Sequence, residues 1–294
     1  MKRSLLISLL GFAAAAVGCG SPARLTESQE YFVGRGVAAG SILQTQGLIP
    51  DEALGNYVNL VGQTLALESD RPETYKGYHF GVLRSEEVNA FAAPGGFVFV
   101  TTGALKLMEN EDELAGVLAH EVAHVNLRHP EEHANNSTQK SGAMDVLAAG
   151  GHLSETGGQI GGAVLSFLGK QRAADTVKSV GENLARVVKA FSGAIDEFLQ
   201  EIMVNGYGRE AELAADGLGV DILCRSGVRY DPGGLRAFIS RLPKKERGAW
   251  ATHPDLEGRL QSIEEQIRKR GVQALTDPAR TTRFKAATAG LRGT

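Results

Sequence analysis

The segment HEVAH, residues 120–124, places two histidines four residues apart, with a glutamate directly after the first. On a helix, residues four apart project from the same face, so His120 and His124 can bind one metal ion. A metal bound in this way lowers the pKa of water, and Glu121 is then placed to take the proton. The segment therefore predicts a helix that carries a metal site and a general base.

Signals outside this segment also predict the helix. Asn110 can cap it, Glu113 completes a capping box, and the acidic first turn suits the positive end of the helix dipole. We expect Pro130 to end it. At about 100° per residue, one face is apolar. Its residues are Leu114, Val117, Leu118, Val122 and Val125. Glu121 points into this apolar face, where a carboxylate is costly unless a metal-bound water compensates it.

A second predicted helix carries a third ligand. Catalytic zinc usually takes three protein ligands and leaves a fourth position for water. In the string REAELAAD, Glu212 and Asp216 are four apart on a face of small residues, which favours close packing between helices. The predicted ligands of one Zn²⁺ ion are therefore His120, His124 and Glu212. We expect Asp216 to orient the ring of His120.

Both segments also have a simpler interpretation. His120 and His124 could be ordinary core or surface histidines, because short motifs occur by chance. Glu212 and Asp216 could form a solvated acidic patch. Only the proximity of the two segments in the folded chain decides between these interpretations.

Further histidines and one arginine leave other roles open. We include His253 among the candidate catalytic residues, since it could stabilise an oxyanion, cover the zinc in a resting state, or simply stand at the start of a helix. Arg259 is interpreted as part of a structural ion pair. His129 and His133 are also four apart, but Pro130 interrupts their helix, so we expect surface positions rather than a second metal site.

Residues 88–103, VNAFAAPGGFVFVTTG, have the composition of β-strands. Aromatic and β-branched residues surround a Pro-Gly-Gly turn, and residues 97–100 are the clearest strand. Apolar periodicity predicts helices before this region, at residues 31–46 and 51–67. The chain is therefore expected to contain both helices and a small sheet.

Together these segments resemble the HtpX-like gluzincin zinc metallopeptidases, in particular the soluble, LoiP-like lipoprotein type. The resemblance rests on HEVAH, REAELAAD, VNAFAAPGGFVFVTTGAL, and Thr252-His253-Pro254 with Arg259, and it extends from about residue 31 to 268. The segment between His129 and Glu212 does not match clearly. The resemblance implies an α+β fold of the zincin type, mostly helical, with a small antiparallel sheet next to the HExxH helix.

The resemblance also implies a zinc-dependent endopeptidase that cleaves unfolded or misfolded proteins of the bacterial envelope. In such an enzyme Phe97, Val98, Phe99 and Val100 would form an edge strand that binds an extended substrate through main-chain hydrogen bonds. Two alternatives remain open at this point. One is a non-catalytic, chaperone-like or assembly factor that keeps the metal-binding fold, and the other is a zinc hydrolase of a non-peptide substrate.

The N-terminus predicts secretion and a lipid anchor. Lys2 and Arg3 precede an apolar run that is short for a membrane span, and Ala16-Val17-Gly18-Cys19 resembles a lipobox. We expect a signal peptide at 1–18, lipidation at Cys19 and a tether at 19–30. The domain should occupy 31–270, followed by a loose tail at 271–294. An ordinary secretory signal cut near Ala16 is the alternative.

Composition limits the location and the partners. The 31 basic and 34 acidic residues give a net charge of -3, so no nucleic-acid partner is expected. Lipidation would attach the protein to a membrane facing the periplasm. Gly20, which is not acidic, slightly favours the outer membrane. Cys224 is expected to be a buried apolar residue, and the sequence indicates no particular oligomeric state.

Overall fold

The computed structural model describes residues 25–132, 206–225, 230–242, 256–272 and 277–291, together with residues 193, 195–200, 202 and 253. Cys19, His133 and the predicted signal peptide lie outside the described residues. Within the described ranges, helices surround one small sheet, which confirms the predicted α+β class. None of the helices in these ranges has the length and apolar character needed to cross a membrane.

The elements follow one another in a simple order. Two helices precede the sheet, the central helix follows it, and the remaining helices cover the central one. In chain order the described elements are α1 (Glu27–Gln44), α2 (Glu52–Leu67), β1 (His79–Leu83), β2 (Ala90–Ala93), β3 (Phe97–Thr101), α3 (Thr102–Leu107), α4 (Glu111–Asn126), α5 (Arg209–Arg225), α6 (Gly234–Ser240), α7 (Leu256–Arg270) and α8 (Pro278–Ala287).

The sheet has the order β1-β3-β2, so β3 is its central strand. β3 pairs in parallel with β1 and antiparallel with β2. The prediction that Phe97–Val100 form an edge strand is therefore wrong, and the sheet is mixed rather than wholly antiparallel. A central strand covered on both faces has a continuous apolar sequence. The apolar composition that makes residues 97–100 the clearest predicted strand therefore reflects the central position of β3 in the sheet.

Alternate residues of β3 pack into two different apolar clusters, as the two-residue period of a strand requires. Val98 and Val100 join the larger cluster, which contains α2 and α4. Phe97 and Phe99 face the other way, toward Val37 of α1. The sheet therefore separates α1 from the central helix.

Helix α4 lies at the centre of the fold, with every residue from Glu111 to Val125 buried. Glycines allow its neighbours to come close. A Cβ atom at Gly116 would lie 2.3 Å from the main-chain nitrogen of Leu235 in α6. One at Gly219 of α5 would lie 3.4 Å from the backbone of His120. The small face predicted for α5 thus packs directly on the motif helix.

The start of α4 agrees with its prediction, but its end does not. The Asn110 cap is confirmed, because its side chain accepts a hydrogen bond from the Glu113 amide. The other end is earlier than expected, since α4 ends at Asn126 and Arg128 has a φ of 60°. Pro130 lies instead in a new helical turn at residues 129–132. Proline is tolerated in a first turn, where its missing N–H has no partner to lose.

Both predicted flexible segments contain helix. α1 begins at Glu27, inside the predicted tether, with Thr26 as its cap. The prediction of a loose tail is wrong for residues 277–291, where Asp277 caps α8 and Phe284 is fully buried. Asp277 followed by Pro278 is a helix-start signal.

Candidate metal centre

Four buried side chains from distant parts of the chain meet in one cluster. They are His120 and His124 of α4, Glu212 of α5, and His253, which lies before α7. Each is completely buried, and one ligand atom of each lies within 4.8 Å of the others. The fold therefore brings the three predicted ligands, His120, His124 and Glu212, together. This proximity argues against the simpler interpretation, in which the two segments are unrelated.

The spacing of the ligand atoms suits a single metal ion. His120 Nε2 lies 3.0 Å from His124 Nε2 and 3.4 Å from Glu212 Oε2. His124 Nε2 lies 3.5 Å from Glu212 Oε1. An ion with tetrahedral bonds of about 2.0–2.2 Å holds its ligand atoms about 3.3–3.6 Å apart. Imidazole nitrogens with a carboxylate oxygen are also a common donor set for divalent transition metals.

His253 is the fourth member of the cluster. Its Nδ1 lies 3.0 Å from Glu212 Oε1 and 3.2 Å from His120 Nε2. Its Nε2 lies 3.2 Å from the carbonyl oxygen of Ala90 in β2. The sequence leaves three roles open for His253, and the structure places it among the ligand atoms rather than at a distance from them.

The outer nitrogen of His120 contacts Asp216, as expected for an orienting carboxylate. His120 Nδ1 lies 2.9 Å from Asp216 Oδ1. Arg259 donates to both oxygens of Asp216, at 2.9 and 2.7 Å, and its Nη1 lies 2.9 Å from Glu212. Arg259 is itself fully buried. The expected ion pair is thus present as a bidentate, buried contact, which is stronger than a surface pair.

Burial and neighbouring charges oppose each other in setting the pKa values of the centre. For Asp216, burial raises the pKa, but the Arg259 charge outweighs it and the net pKa is lowered. For Glu212, burial is likewise outweighed, here by His253 and Arg259, and the pKa is lowered. Burial and Arg259 lower the pKa of His120, but hydrogen bonds to Asp216 and Glu212 raise it to about 9. Metal binding to His120 would therefore release a proton.

Glu121 differs from Glu212 and Asp216, the other carboxylates of the centre, in having no hydrogen-bond partner among the described residues. Both of its oxygens are buried, and His253 Nε2 lies 3.3 Å from Oε1. Burial raises the pKa of Glu121. A buried carboxylate without a partner is costly. A metal with its water beside Glu121 would provide the missing partner, so the residues present fit such a group.

Two residues that the sequence did not assign to the site also contact it. His129, expected at the surface, is half-buried, and its Nδ1 lies 2.9 Å from Nδ1 of His124. The ring of Tyr207 stacks on His124 with 4.0 Å between centroids. No helical spacing predicts His129, because it is five residues from His124. Tyr207 lies just before the predicted α5, and only its aromatic character next to that helix could have indicated it.

The strand beside the centre is β2 rather than β3. Besides the contact of Ala90 with His253, the Tyr207 hydroxyl donates to the carbonyl oxygen of Ala92 at 3.4 Å. Both carbonyls belong to the edge of β2 that faces away from β3, since Asn89 makes the hydrogen bond to Thr101 of β3. The predicted substrate strand, Phe97–Val100, is one strand further from the centre.

Comparison with known proteins identifies relatives that match most of this chain. The model of peptidase family M48 matches residues 52–267. The chain is 27% identical over 283 residues to the beta-barrel assembly-enhancing protease of Escherichia coli K12, covering 88% of this chain and 51% of that protein. It is 28% identical over 205 residues to a protease HtpX homolog of Bacillus licheniformis, covering 63% of this chain and 62% of that protein.

A eukaryotic protein is also similar. The mitochondrial metalloendopeptidase OMA1 of Schizosaccharomyces pombe is 30% identical over 192 residues, covering 63% of this chain and 45% of that protein. The chain spans about half the length of the beta-barrel assembly-enhancing proteases that it matches. The family match includes all four members of the buried cluster and confirms the resemblance to HtpX-like metallopeptidases. By the extent of this match, the chain belongs to peptidase family M48.

Proposed function

We propose that this chain is a zinc-dependent endopeptidase that hydrolyses peptide bonds in unfolded or misfolded proteins of the bacterial cell envelope. The observation that carries the proposal is the meeting of His120, His124 and Glu212 next to the buried, unpartnered carboxylate of Glu121. Membership of a peptidase family and relatives named as proteases support the same reaction.

His120, His124 and Glu212 would hold the metal. Two imidazoles and one carboxylate are a ligand set of catalytic zinc sites, which is why we propose zinc. A bound zinc ion supplies Lewis-acid chemistry, because it polarises a carbonyl group and lowers the pKa of water. Asp216 keeps the ring of His120 in place, and Arg259 keeps Asp216 ionised.

Glu121 acts as the general base in this proposal. Its carboxylate oxygens accept the proton of the attacking water and pass it to the leaving amine nitrogen. A base of this kind works best when its pKa is near the working pH. Burial raises the pKa of Glu121 in that direction.

An extended substrate would bind along the outer edge of β2. Main-chain pairing of this kind recognises the backbone more than the side chains, which favours unfolded polypeptides of varied sequence. The carbonyls of Ala90 and Ala92 on this edge contact His253 and Tyr207. His253 therefore overlaps both the place of a substrate strand and the ligand cluster. The sequence leaves three roles open for His253. These contacts favour the one in which His253 covers the metal in a resting state.

The test compares the full-length mature protein with Glu121→Gln, which keeps the size of the side chain but removes the base. We expect the wild type to cleave casein, and to cleave an unfolded protein faster than its native form. Glu121→Gln should lower the rate about 100-fold or more while its zinc content stays the same. In the same assay His253→Ala should be faster than wild type if His253 covers the metal.

Other results would favour the alternatives. Equal behaviour of wild type and Glu121→Gln would indicate a non-catalytic chaperone-like or assembly factor. Metal-dependent hydrolysis of a small ester with every polypeptide left intact would indicate a non-peptide hydrolase.

We also propose that lipid on Cys19 anchors the protein in the envelope, facing the periplasm, with the outer membrane slightly favoured over the inner membrane. The lipobox-like segment and Gly20 support this placement, and the E. coli relative is named for β-barrel assembly. Fractionation of cells that express Cys19→Ser tests the anchor. Retention of this variant in the membrane fraction would contradict it.

A further inference from the structure

The two histidine ligands have different partners on their outer nitrogens. His120 Nδ1 contacts Asp216, whereas His124 Nδ1 lies 2.9 Å from Nδ1 of His129. A histidine that binds a metal through Nε2 carries its proton on Nδ1, and this proton needs an acceptor that fixes the ring. His129 Nδ1 occupies the position of that acceptor.

A regular helix would not bring His129 to this place. Five residues of helix turn by about 500°, which leaves the two side chains about 140° apart around the axis. The chain avoids this because α4 ends before Arg128, whose φ is 60°. The amide of Arg128 bonds to the carbonyl of Val125 at 3.2 Å, and its carbonyl accepts from Glu132. This left-handed turn directs His129 back toward His124.

The left-handed turn is held from outside the helix. A non-glycine residue is disfavoured in this conformation, because its Cβ atom approaches the following carbonyl oxygen, so contacts with other segments must stabilise the turn. The guanidinium of Arg128 pairs with Glu30 of α1, which is fully buried. Helix α1 thereby helps to hold the turn that places His129.

Packing restricts the two rings further. The Tyr207 ring stacks on His124, with 21° between their planes, and lies 5.9 Å from the ring of His129. Tyr207 is buried and is held by its contact with Ala92. The ring of His124 therefore lies between a stacked aromatic ring and a polar partner.

We propose that His129 is a positioning residue, which accepts a hydrogen bond from Nδ1 of His124 and so holds that ligand in the orientation that binds the metal. This inference deepens the proposed function and rests on it, because it concerns the same metal centre. His129 is not proposed to ligate the metal or to contact substrate.

The test uses a pair of substitutions that differ in the acceptor. In His129→Asn the amide oxygen lies close to the position of imidazole Nδ1 and can accept the same hydrogen bond. His129→Leu has a similar size but no acceptor. We expect His129→Leu to bind zinc about 10–100-fold more weakly than wild type, the usual effect of losing such a partner. His129→Asn should stay within about threefold of wild type, since the hydrogen bond is kept.

Two measurements on the full-length mature protein are needed. Zinc affinity is measured by competition with a coloured chelator, and the geometry of the site by the visible absorption of the Co²⁺ form. His129→Leu should change the Co²⁺ spectrum, and His129→Asn should restore it. His79→Leu is the matched control, because His79 is also half-buried but stacks on Phe97 in the sheet.

The outcomes separate the two proposals. Wild-type affinity in His129→Leu, or equal loss in the Asn and Leu variants, would overturn the role of His129 and leave the zinc centre in place. If His129→Leu does not fold, loss of zinc affinity in His129→Asn would by itself overturn the role of His129. Absence of zinc binding by the wild type would overturn both proposals.

Discussion

The two ends of helix α4 are both rich in charge, but their charges are matched differently. At the start, three successive carboxylates each have an arginine partner. The pairs are Glu111–Arg283, Asp112–Arg280 and Glu113–Arg241. At the other end, Glu30 binds both Arg71 and Arg128, and Glu131 has no hydrogen-bond partner among the described residues.

The matched end combines two favourable effects. Carboxylates in a first turn interact well with the helix dipole, and the arginines come from segments that pack on this end. Arg280 Nη1 lies 2.6 Å from Asp112 and its guanidinium also covers the ring of Tyr230. The start of the helix is therefore fixed to the C-terminal part of the chain.

The unmatched end is close to the metal centre. Among the described residues, the nearest cation to Glu131 is Arg71, whose Nη1 lies 3.8 Å away while its Nη2 contacts Glu30 at 2.6 Å. Burial, followed by the charge of Glu30, raises the pKa of Glu131 to about 8. One helix is thus anchored by complete ion pairs at its start and held by an incompletely paired, left-handed turn next to the proposed ligand His124.

The largest effect is expected from breaking the matched end. Arg280→Met removes a nearly buried cation and leaves Asp112 without its partner. Loss of one member of a buried pair costs about 3–5 kcal/mol, so the free energy of unfolding in urea should fall by about 3 kcal/mol. Zinc affinity should change less than threefold, because Asp112 is about 12 Å along the helix from His120.

Arg283→Met is the matched control for this substitution. Arg283 pairs with Glu111 through a 2.6 Å contact, but its side chain is 49% exposed. Water screens the half-exposed Arg283, and buried Glu111 keeps the hydrogen bond that the Tyr57 hydroxyl donates to it at 2.9 Å, so this substitution should destabilise the protein less than Arg280→Met. Equal destabilisation by the two substitutions would show that burial does not determine the strength of these pairs.

A smaller, pH-dependent effect is expected at the unmatched end. The pKa of Glu131 is about 8 in the folded protein and 4.5 ordinarily, so the folded state binds this proton more tightly. The stabilisation that comes from this bound proton is therefore fully present below about pH 4.5 and is lost as the pH rises through about 8. Glu131→Gln stays neutral, so its unfolding free energy should rise relative to wild type as pH increases.

The measurement is urea unfolding of wild type and Glu131→Gln at pH 5, 7 and 9. The difference between them should grow with pH, by no more than about 1.4 kcal/mol per pH unit, and level off above about pH 8. Parallel pH profiles of the two proteins would show that Glu131 is ionised at neutral pH and would remove the proposed contrast between the helix ends.

Local patterns predicted much of this molecule. The spacing of His120 and His124, the Asn110 cap and the small face of α5 follow from the 3.6-residue period and from capping, which act within a few residues. The structure has a helix in both places and brings Glu212 to the two histidines. Helix α8 could also have been predicted from the sequence, because Asp277 and Pro278 are a local helix-start signal.

The errors concern contacts between distant segments. The strand composition of Phe97–Val100 was correctly interpreted, but its central place depends on pairing with β1, eighteen residues earlier in register. His129 was placed at the surface because Pro130 was expected to end the helix. A left-handed residue two positions earlier than Pro130 changes the direction of the chain, and Arg128 is not a residue type that predicts this conformation.

Local sequence patterns are enough to predict which residues could form the metal centre and which helices carry them, because backbone geometry fixes the direction of side chains at short range. Folding alone brings His253, Arg259 and His129 to the centre and places β2 beside it. The reason is that these contacts depend on how apolar faces are buried across the whole chain, and on which buried charges can then be paired.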